Sequence, residues 1–235
     1  MALPFFYITE YDSSQKQIVL NEETSRHVVQ VLRMKTGELL HLTDGKGHLI
    51  IGEIADEHKK HCTVLVQKTN YKEPGIRKIS IAISLIKNTS RFEWFLEKAT
   101  EIGVTEIIPL ICERTEKEKF RQDRMQGICI SAMLQSQQVW LPVLHEPTAF
   151  QKVVTQSAAQ QKFIAYCHDS NRHTLIYQLT STSVDLLIGI GPEGDFTTEE
   201  IEMALQNNFI PVSLGDTRLR TETAGVVAAT LLCVV

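Results

Sequence analysis

The sequence predicts an α/β protein in two parts, a small β-barrel over residues 1–72 and a parallel-sheet domain over residues 73–235. Three observations carry that expectation. Short strand-like runs crowd around a single helical pattern in the first seventy residues. After Gly75 the rhythm changes to strands alternating with helices. Near the carboxyl end, two glycine-bearing loops follow apolar strands, where open parallel sheets place their ligands.

In the first part, strands are expected at 5–8, 17–20, 39–43, 48–51 and 63–66. The turn Asp44-Gly45-Lys46-Gly47 between two of them is a strong hairpin signal. One helix interrupts the set: Asn21 is placed to cap it, with Val28, Val31 and Leu32 on one face and Gly37 beyond its end. Lys72-Glu73-Pro74-Gly75 reads as a linker. In the second part, 79–85 is an apolar strand and 90–102 a helix with Phe92, Phe95, Leu96, Ala99 and Ile102 at helical spacing, ended by Gly103. A strand at 106–111 and a helix over 123–139 follow, then buried strands at 163–167 and 186–190. The long helix carries an apolar stripe of Met125, Ile128, Cys129, Ala132 and Val139, into which Gln135 and Ser136 intrude. Buried polar side chains need partners, so these two serve either a helix–helix hydrogen bond or a substrate-facing amide.

Composition bounds the function. The chain has 235 residues, 43% apolar and 22% charged, enough to bury a core and too ordered in pattern for wholesale disorder. A net charge of −4 excludes a bulk polycation, so a nucleic-acid partner must be met by a local patch. Arg26, Arg33 and Lys35 gather on and just after the short N-terminal helix. They form either a solvated face or a phosphate-contact patch. No apolar run approaches the ~18–20 residues of a membrane span, and the first residues lack a signal-peptide pattern. Five cysteines, odd in number and without a C-x-x-C, fit reduced thiols in a cytoplasmic protein and no metal site. Cys167 and His168 are adjacent, but neighbours at a strand end point to opposite sides, which argues against a dyad. The mixed-charge run 113–124 reads as a solvated surface.

Residues 186–200 read as a buried strand, a glycine-rich loop and a helix opened by the capping box Thr197-x-x-Glu200. Gly189, Gly191 and Gly194 satisfy G-x-G-x-x-G, which invites a nicotinamide-dinucleotide reading and an oxidoreductase. Pro192 removes an amide donor where a pyrophosphate needs one, Glu193 sets a negative charge beside it, and the helix begins too late. The loop instead suits close backbone approach to a ligand that is not an anion. In residues 211–224 a short strand ends at Leu214, Gly215 turns, and a helix of small residues is expected to start near Thr223, with Arg220 and Glu222 just before it. Glu222 there is either a dipole-stabilised acid or part of a ligand site shared with the first loop.

Gly-Ile-Gly-Pro-Glu-Gly (189–194) followed by Ser-Leu-Gly-x-x-Arg-Leu-Arg-Thr-Glu-Thr-Ala (213–224) resembles the ribosomal small-subunit RNA methyltransferase E family, of the SPOUT or α/β-knot class. Residues 27–37, 98–104 and Gln135-Ser136 resemble its other signatures in order, so the likeness runs over the whole chain. It implies a PUA-like barrel for RNA, then a methyltransferase domain with a C-terminal trefoil knot, a feature that periodicity does not reveal. It also implies a homodimer, S-adenosylmethionine as donor, and methylation at N3 of a uridine in 16S ribosomal RNA of the small subunit. The cofactor would lie among three loops. These are the one after Ala165-Tyr166-Cys167; Gly189, Ile190, Gly191, Pro192, Glu193 and Gly194; and Leu214, Gly215, Leu219, Arg220, Thr221, Thr223 and Ala224. Arg26, Arg33, Lys35 and Gln135 would meet RNA. Asp195 stands where the family usually has glycine, and Gln138 where an arginine commonly follows Gln-Ser.

The implied chemistry needs the uracil unpaired or flipped, because N3 sits on its Watson–Crick edge and carries a proton. Arg220 is the candidate for stabilising the developing uridinate or its phosphate, and Glu222 for orienting the base or accepting the proton. A non-catalytic RNA-binding protein is the other rival to this reading.

Overall fold

The computed structural model describes residues 3–116, 119–167, 173–179 and 184–234. Two units form, Met1–Pro74 with Met133–Leu141, and Gly75–Ala132 with Pro142–Val235.

In the first unit the strands are β1 (Phe5–Tyr7), β2 (Gln17–Val19), β3 (Leu39–Thr43), β4 (His48–Asp56) and β5 (Thr63–Tyr71). They pair in the order β1-β3-β4-β5-β2, antiparallel except β1 on β3. β1 and β2 are its two edges, so the barrel is open. Period-two burial along β4 turns Ile50, Gly52 and Ile54 inward. Register shifts after Ile51 and after Ile54 bend the strand around a core that includes Phe6, Leu20, Val28, Leu40, Leu42 and Val64. A Cβ at Gly52 would stand 2.2 Å from Val64 Cγ1, so only glycine allows that approach.

The hairpin turn is held by its own side chains. Asp44 Oδ1 accepts from the Lys46 amide at 2.9 Å, and Asp44 Oδ2 lies 2.7 Å from His48 Nδ1. α1 (Glu22–Arg26) is capped by Asn21, which accepts from the Thr24 amide at 2.8 Å, and runs into a π-helical turn at His27–Val31. Of the expected apolar face only Val28 is buried. Val31 and Leu32 are exposed, because the wider turn rotates them off the core side.

The second unit holds β6 (Ile79–Ser84), α2 (Thr89–Ile102), β7 (Glu106–Ile111), β8 (Val143–Leu144), β9 (Thr148–Ala149), α4 (Phe150–Gln156), β10 (Gln161–Ala165), β11 (His173–Thr174), β12 (Leu186–Ile190), α5 (Thr198–Gln206), β13 (Phe209–Ser213) and α6 (Thr221–Val234). Its sheet runs β11-β13-β10-β12-β6-β7-β8, with β9 also on β7 and every pairing parallel. The central strands β6 and β12 are buried at every residue, as helices on both faces require. Asn88 opens α2 by accepting from the Ser90 amide at 3.0 Å, and Gly103 closes it at φ +101°. α6 crosses α2 closely: a Cβ at Gly225 would stand 2.6 Å from Phe95 Cε2 and 2.7 Å from Ile83 Cδ1.

The long helix, α3 (Gln122–Gln135), ends four residues sooner than the apolar stripe suggested. Gln137 takes φ +56°, and the chain then joins the first unit, where the Gly47 amide donates to Val139 O at 2.9 Å and Trp140 Nε1 donates to Lys72 O at 2.9 Å. Val139 is therefore buried outside the helix, and Met133 takes the stripe position instead. Gln135 is exposed, and Ser136 donates to Met133 O at 3.2 Å, so the polar pair finishes the helix rather than entering a buried stripe.

Candidate active site

Three parallel strands place their carboxyl ends side by side. In the sheet, Ala165 at the end of β10 is level with Ile190 of β12 on one flank and Val212 of β13 on the other. The chain leaves all three at the same edge, and a crevice of about 380 Å³ opens there. That volume lies within the ~300–1,000 Å³ of small-molecule sites.

Of the expected cofactor residues, Tyr166, Ile190, Gly191, Pro192, Glu193, Leu214, Gly215, Leu219, Arg220, Thr221 and Ala224 line this crevice. Gly189 lies within β12, Gly194 turns toward Arg114, and neither Thr223 nor Glu222 is on the lining. The last helix starts at Thr221, not near Thr223, so Arg220 precedes it while Glu222 stands inside its first turn, buried. Most of the loop after Cys167, and His168 with it, lies outside the described residues.

Two hydrogen bonds fasten the walls together. Thr221 Oγ1 donates to Gly191 O at 3.0 Å, a buried link between the glycine loop and the start of α6. Asp195 Oδ2 accepts from the Cys167 amide at 2.8 Å, joining the first loop to the second, while its Oδ1 accepts from the Phe196 amide at 2.9 Å. Asp195 adopts φ +65°, in the left-handed region that favours glycine. At Gly191 a Cβ would come within 3.1 Å of the Phe196 ring, so the glycine keeps the loop close to the strand. Arg114 Nη1 donates to Gly194 O at 2.5 Å from behind. The 113–124 run is thus more than solvated surface at this point.

The amino end of α5 is occupied by its own cap. Glu200 N donates to Thr197 Oγ1 at 3.2 Å, Thr197 N donates to Glu200 Oε2 at 2.9 Å, and Glu200 Oε1 takes the Glu113 amide at 2.9 Å. The helix that follows the glycine loop thus meets the carboxylate of Glu200 at its amino end, not an open terminus set against a pyrophosphate, which disfavours the nicotinamide reading.

Sequence reasoning missed Asp195 as a tie between loops, Cys167, Thr217 and Arg218 as lining residues, and Arg114 as a support. Thr217 and Arg218 were signalled by their place within 213–224; Arg114 had no signal, since its contact is made across 80 residues.

The expected RNA residues fall in the first unit. Arg26 pairs with Glu22, and Lys35 Nζ lies 3.2 Å from Glu57 Oε1, so two of the three cations already have acidic partners. Hydrogen bonds from Lys35 and the Thr36 amide hold the Glu57 carboxyl below its ordinary range. Arg33 is exposed at φ +57°, and Gln135 is exposed at the end of α3. Among the described residues, no three His, Cys, Asp or Glu side chains are grouped to hold a metal ion, and no helix is long and apolar enough to cross a membrane.

A family described as an RNA methyltransferase domain matches residues 72–233, and an RNA methyltransferase PUA domain matches residues 20–67. Fold and crevice thus define a two-part RNA methyltransferase. Full-length similarity narrows this: the ribosomal RNA small subunit methyltransferase E of Rickettsia conorii is 28% identical, over 94% of this chain and 91% of that one. Among solved structures, a probable rRNA-methyltransferase from Porphyromonas gingivalis shares 37% identity with a TM-score of 0.91, covering 99% of each chain. The Neisseria gonorrhoeae ribosomal RNA small subunit methyltransferase E, solved bound to S-adenosyl methionine, shares 27% identity with a TM-score of 0.84 over 97% of this chain and 95% of that one. The chain belongs to the ribosomal small-subunit RNA methyltransferase E family.

Proposed function

We propose that this protein transfers the methyl group of S-adenosylmethionine to N3 of a uridine in the 16S ribosomal RNA of the small subunit, acting as a cytoplasmic homodimer. The observation that carries the reading is the crevice at the carboxyl ends of β10, β12 and β13, walled by the glycine loop and residues 214–221.

The residues present fit the donor. Gly191 keeps the loop backbone against the strand, and the lining sets two acids, Glu193 and Asp195, beside two arginines, Arg218 and Arg220, which suits a ligand that carries an amine and a sulfonium together with a carboxylate. When bound, S-adenosylmethionine supplies an electrophilic methyl group on a sulfonium. Tyr166, residues 190–193, Leu214, Gly215, Leu219, Thr221 and Ala224 would hold it. Arg220, exposed on the rim, would stabilise negative charge as the uracil loses its N3 proton. Glu222 is buried in the first turn of α6 and off the crevice lining, so it would serve neither expected role by direct contact and would act by holding its neighbours in place. Most of the acceleration would come from alignment of N3 with the reacting methyl, which the fastened walls preserve.

RNA would meet the first unit through Arg33 and Gln135, with Arg26 and Lys35 exchanging their carboxylate partners for phosphates. A homodimer is supported by α6, which from Ala224 to Val234 is apolar apart from Thr230 yet leaves Val226, Val227 and Leu231 half-buried and Val234 exposed.

The test is transfer of labelled methyl from S-adenosylmethionine to small subunits lacking the modification, with the product located by primer-extension stops. Such stops are expected because an N3-methyl group blocks base pairing. RNA binding without transfer would favour the non-catalytic rival; a labelled product without a stop would move the target off N3.

A further inference from the structure

Behind the crevice wall lies a buried carboxylate oxygen with no partner. Glu222 is 5% exposed, and its Oε2 has no hydrogen-bond partner among the described residues. Its Oε1 lies 3.6 Å from Nε of Arg91, in the first turn of α2. Nη1 of the same guanidinium lies 3.6 Å from Oε1 of Glu193, the half-exposed acid of the glycine loop that lines the crevice. One cation therefore serves two acids, one from each wall.

The helices fix this meeting. Asn88 accepts from the Arg91 amide at 3.4 Å and sets the first turn of α2. One turn further along, Phe95 presses on Gly225, itself one turn beyond Glu222. Close packing at Phe95–Gly225 leaves no freedom to slide, so Arg91 and Glu222 must face each other one turn back.

We propose that Arg91 is a positioning residue of the methyl-transfer site. It ties the glycine loop, through Glu193, and the first turn of α6, through Glu222, to the rigid helix α2, so that the two crevice walls keep one spacing. The inference rests on the reading of the crevice as the S-adenosylmethionine site. Both contacts are ion pairs at 3.6 Å, made from different edges of a planar guanidinium. A lysine ammonium, a single point, cannot reproduce that geometry.

Calorimetric titration of the full chain with S-adenosylhomocysteine tests this. Arg91→Ala should weaken binding by about tenfold, and Arg91→Lys should recover only part of it. Glu193→Gln alone should weaken binding severalfold. In a double-mutant cycle the Arg91→Ala and Glu193→Gln effects should be far from additive. A merely structural arginine, present to balance a buried charge, behaves differently: its loss costs stability, and adding Glu222→Gln restores affinity completely. That full restoration, or affinity in Arg91→Ala within twofold of the parent, overturns the proposal. If Arg91→Ala does not fold, Glu193→Gln and Arg91→Lys carry the test, and unchanged affinity in both overturns it equally. A parent protein that binds no S-adenosylhomocysteine would instead overturn the cofactor reading.

Discussion

Thr221→Val isolates the link between the crevice walls. Thr221 is 4% exposed, and its hydroxyl donates to the buried carbonyl of Gly191 at 3.0 Å. Valine keeps the branched shape and nearly the volume, so little packing changes, but the carbonyl loses its donor. A hydrogen bond is worth ~0.5–1.5 kcal/mol net, whereas a buried acceptor left unsatisfied costs ~1–3 kcal/mol, so the expected loss is ~1–3 kcal/mol. Urea unfolding of the unliganded protein should show it as a lower midpoint with an unchanged slope. The glycine loop is then less preorganised, and part of the cost should reappear in ligand affinity. At 1.4 kcal/mol per decade, S-adenosylhomocysteine should bind up to about tenfold more weakly. A variant with the parent's stability and the parent's affinity would falsify the claim that this bond sets the wall spacing.

Arg220→Ala is expected to abolish methyl transfer while S-adenosylhomocysteine affinity changes little; equal losses in both would move Arg220 into the cofactor's own contacts. Cys167 is exposed on the crevice lining, so alkylation at that thiol should slow when S-adenosylhomocysteine is bound. Burial pushes the Cys112 thiol up to about 12 and Cys129 up to about 11, and both should stay unlabelled; an unprotected Cys167 would separate it from the ligand. Glu106 is half of a pH test. Burial opposes its charge, but Lys78 Nζ at 2.7 Å, Ser80 Oγ at 2.5 Å and His145 Nε2 at 2.7 Å outweigh that and hold the carboxyl below its ordinary value. A depressed folded pKa gives stability that is present above the unfolded value, ~4.3, and lost as pH falls through the folded one. The stability gap between parent and Glu106→Gln should therefore be full at neutral pH and close in acid; a gap that persists in acid would refute the assignment.

Much of the fold was legible because local signals and burial agreed. The hairpin around Gly45 and Gly47, the Asn88 and Gly103 ends of α2, and the Thr197–Glu200 capping box were all written in adjacent residues. Failures came where a distant contact decided the outcome. α3 stops at Gln135 because the following residues bond to the hairpin turn some ninety positions away, and no periodicity within the helix encodes that. α-Helical spacing puts Val31 and Leu32 on one face with Val28, a spacing that the π-helical turn does not keep. The start of α6 was misread for a related reason: Thr221 serves the Gly191 carbonyl and opens the helix two residues sooner than expected.

The site was legible through its glycines and its motif, but the residues that hold it still were not. Asp195 shows why. Read as a departure from a glycine position, it looks like a loss; in the fold it adopts φ +65°, in the left-handed region that favours glycine, and adds a carboxylate. Both oxygens of that carboxylate are used, one on the Phe196 amide and one on the Cys167 amide of another loop. Aspartate tolerates the left-handed region better than most residues, and two charge-assisted hydrogen bonds of ~1.5–3 kcal/mol each more than offset the strain of ~1–2 kcal/mol. The substitution therefore exchanges backbone freedom for a fixed spacing between two loops. Together with Thr221 on Gly191, it fastens each wall to its neighbour, and a crevice that must align a methyl group with one ring nitrogen depends on those ties as much as on the residues that line it.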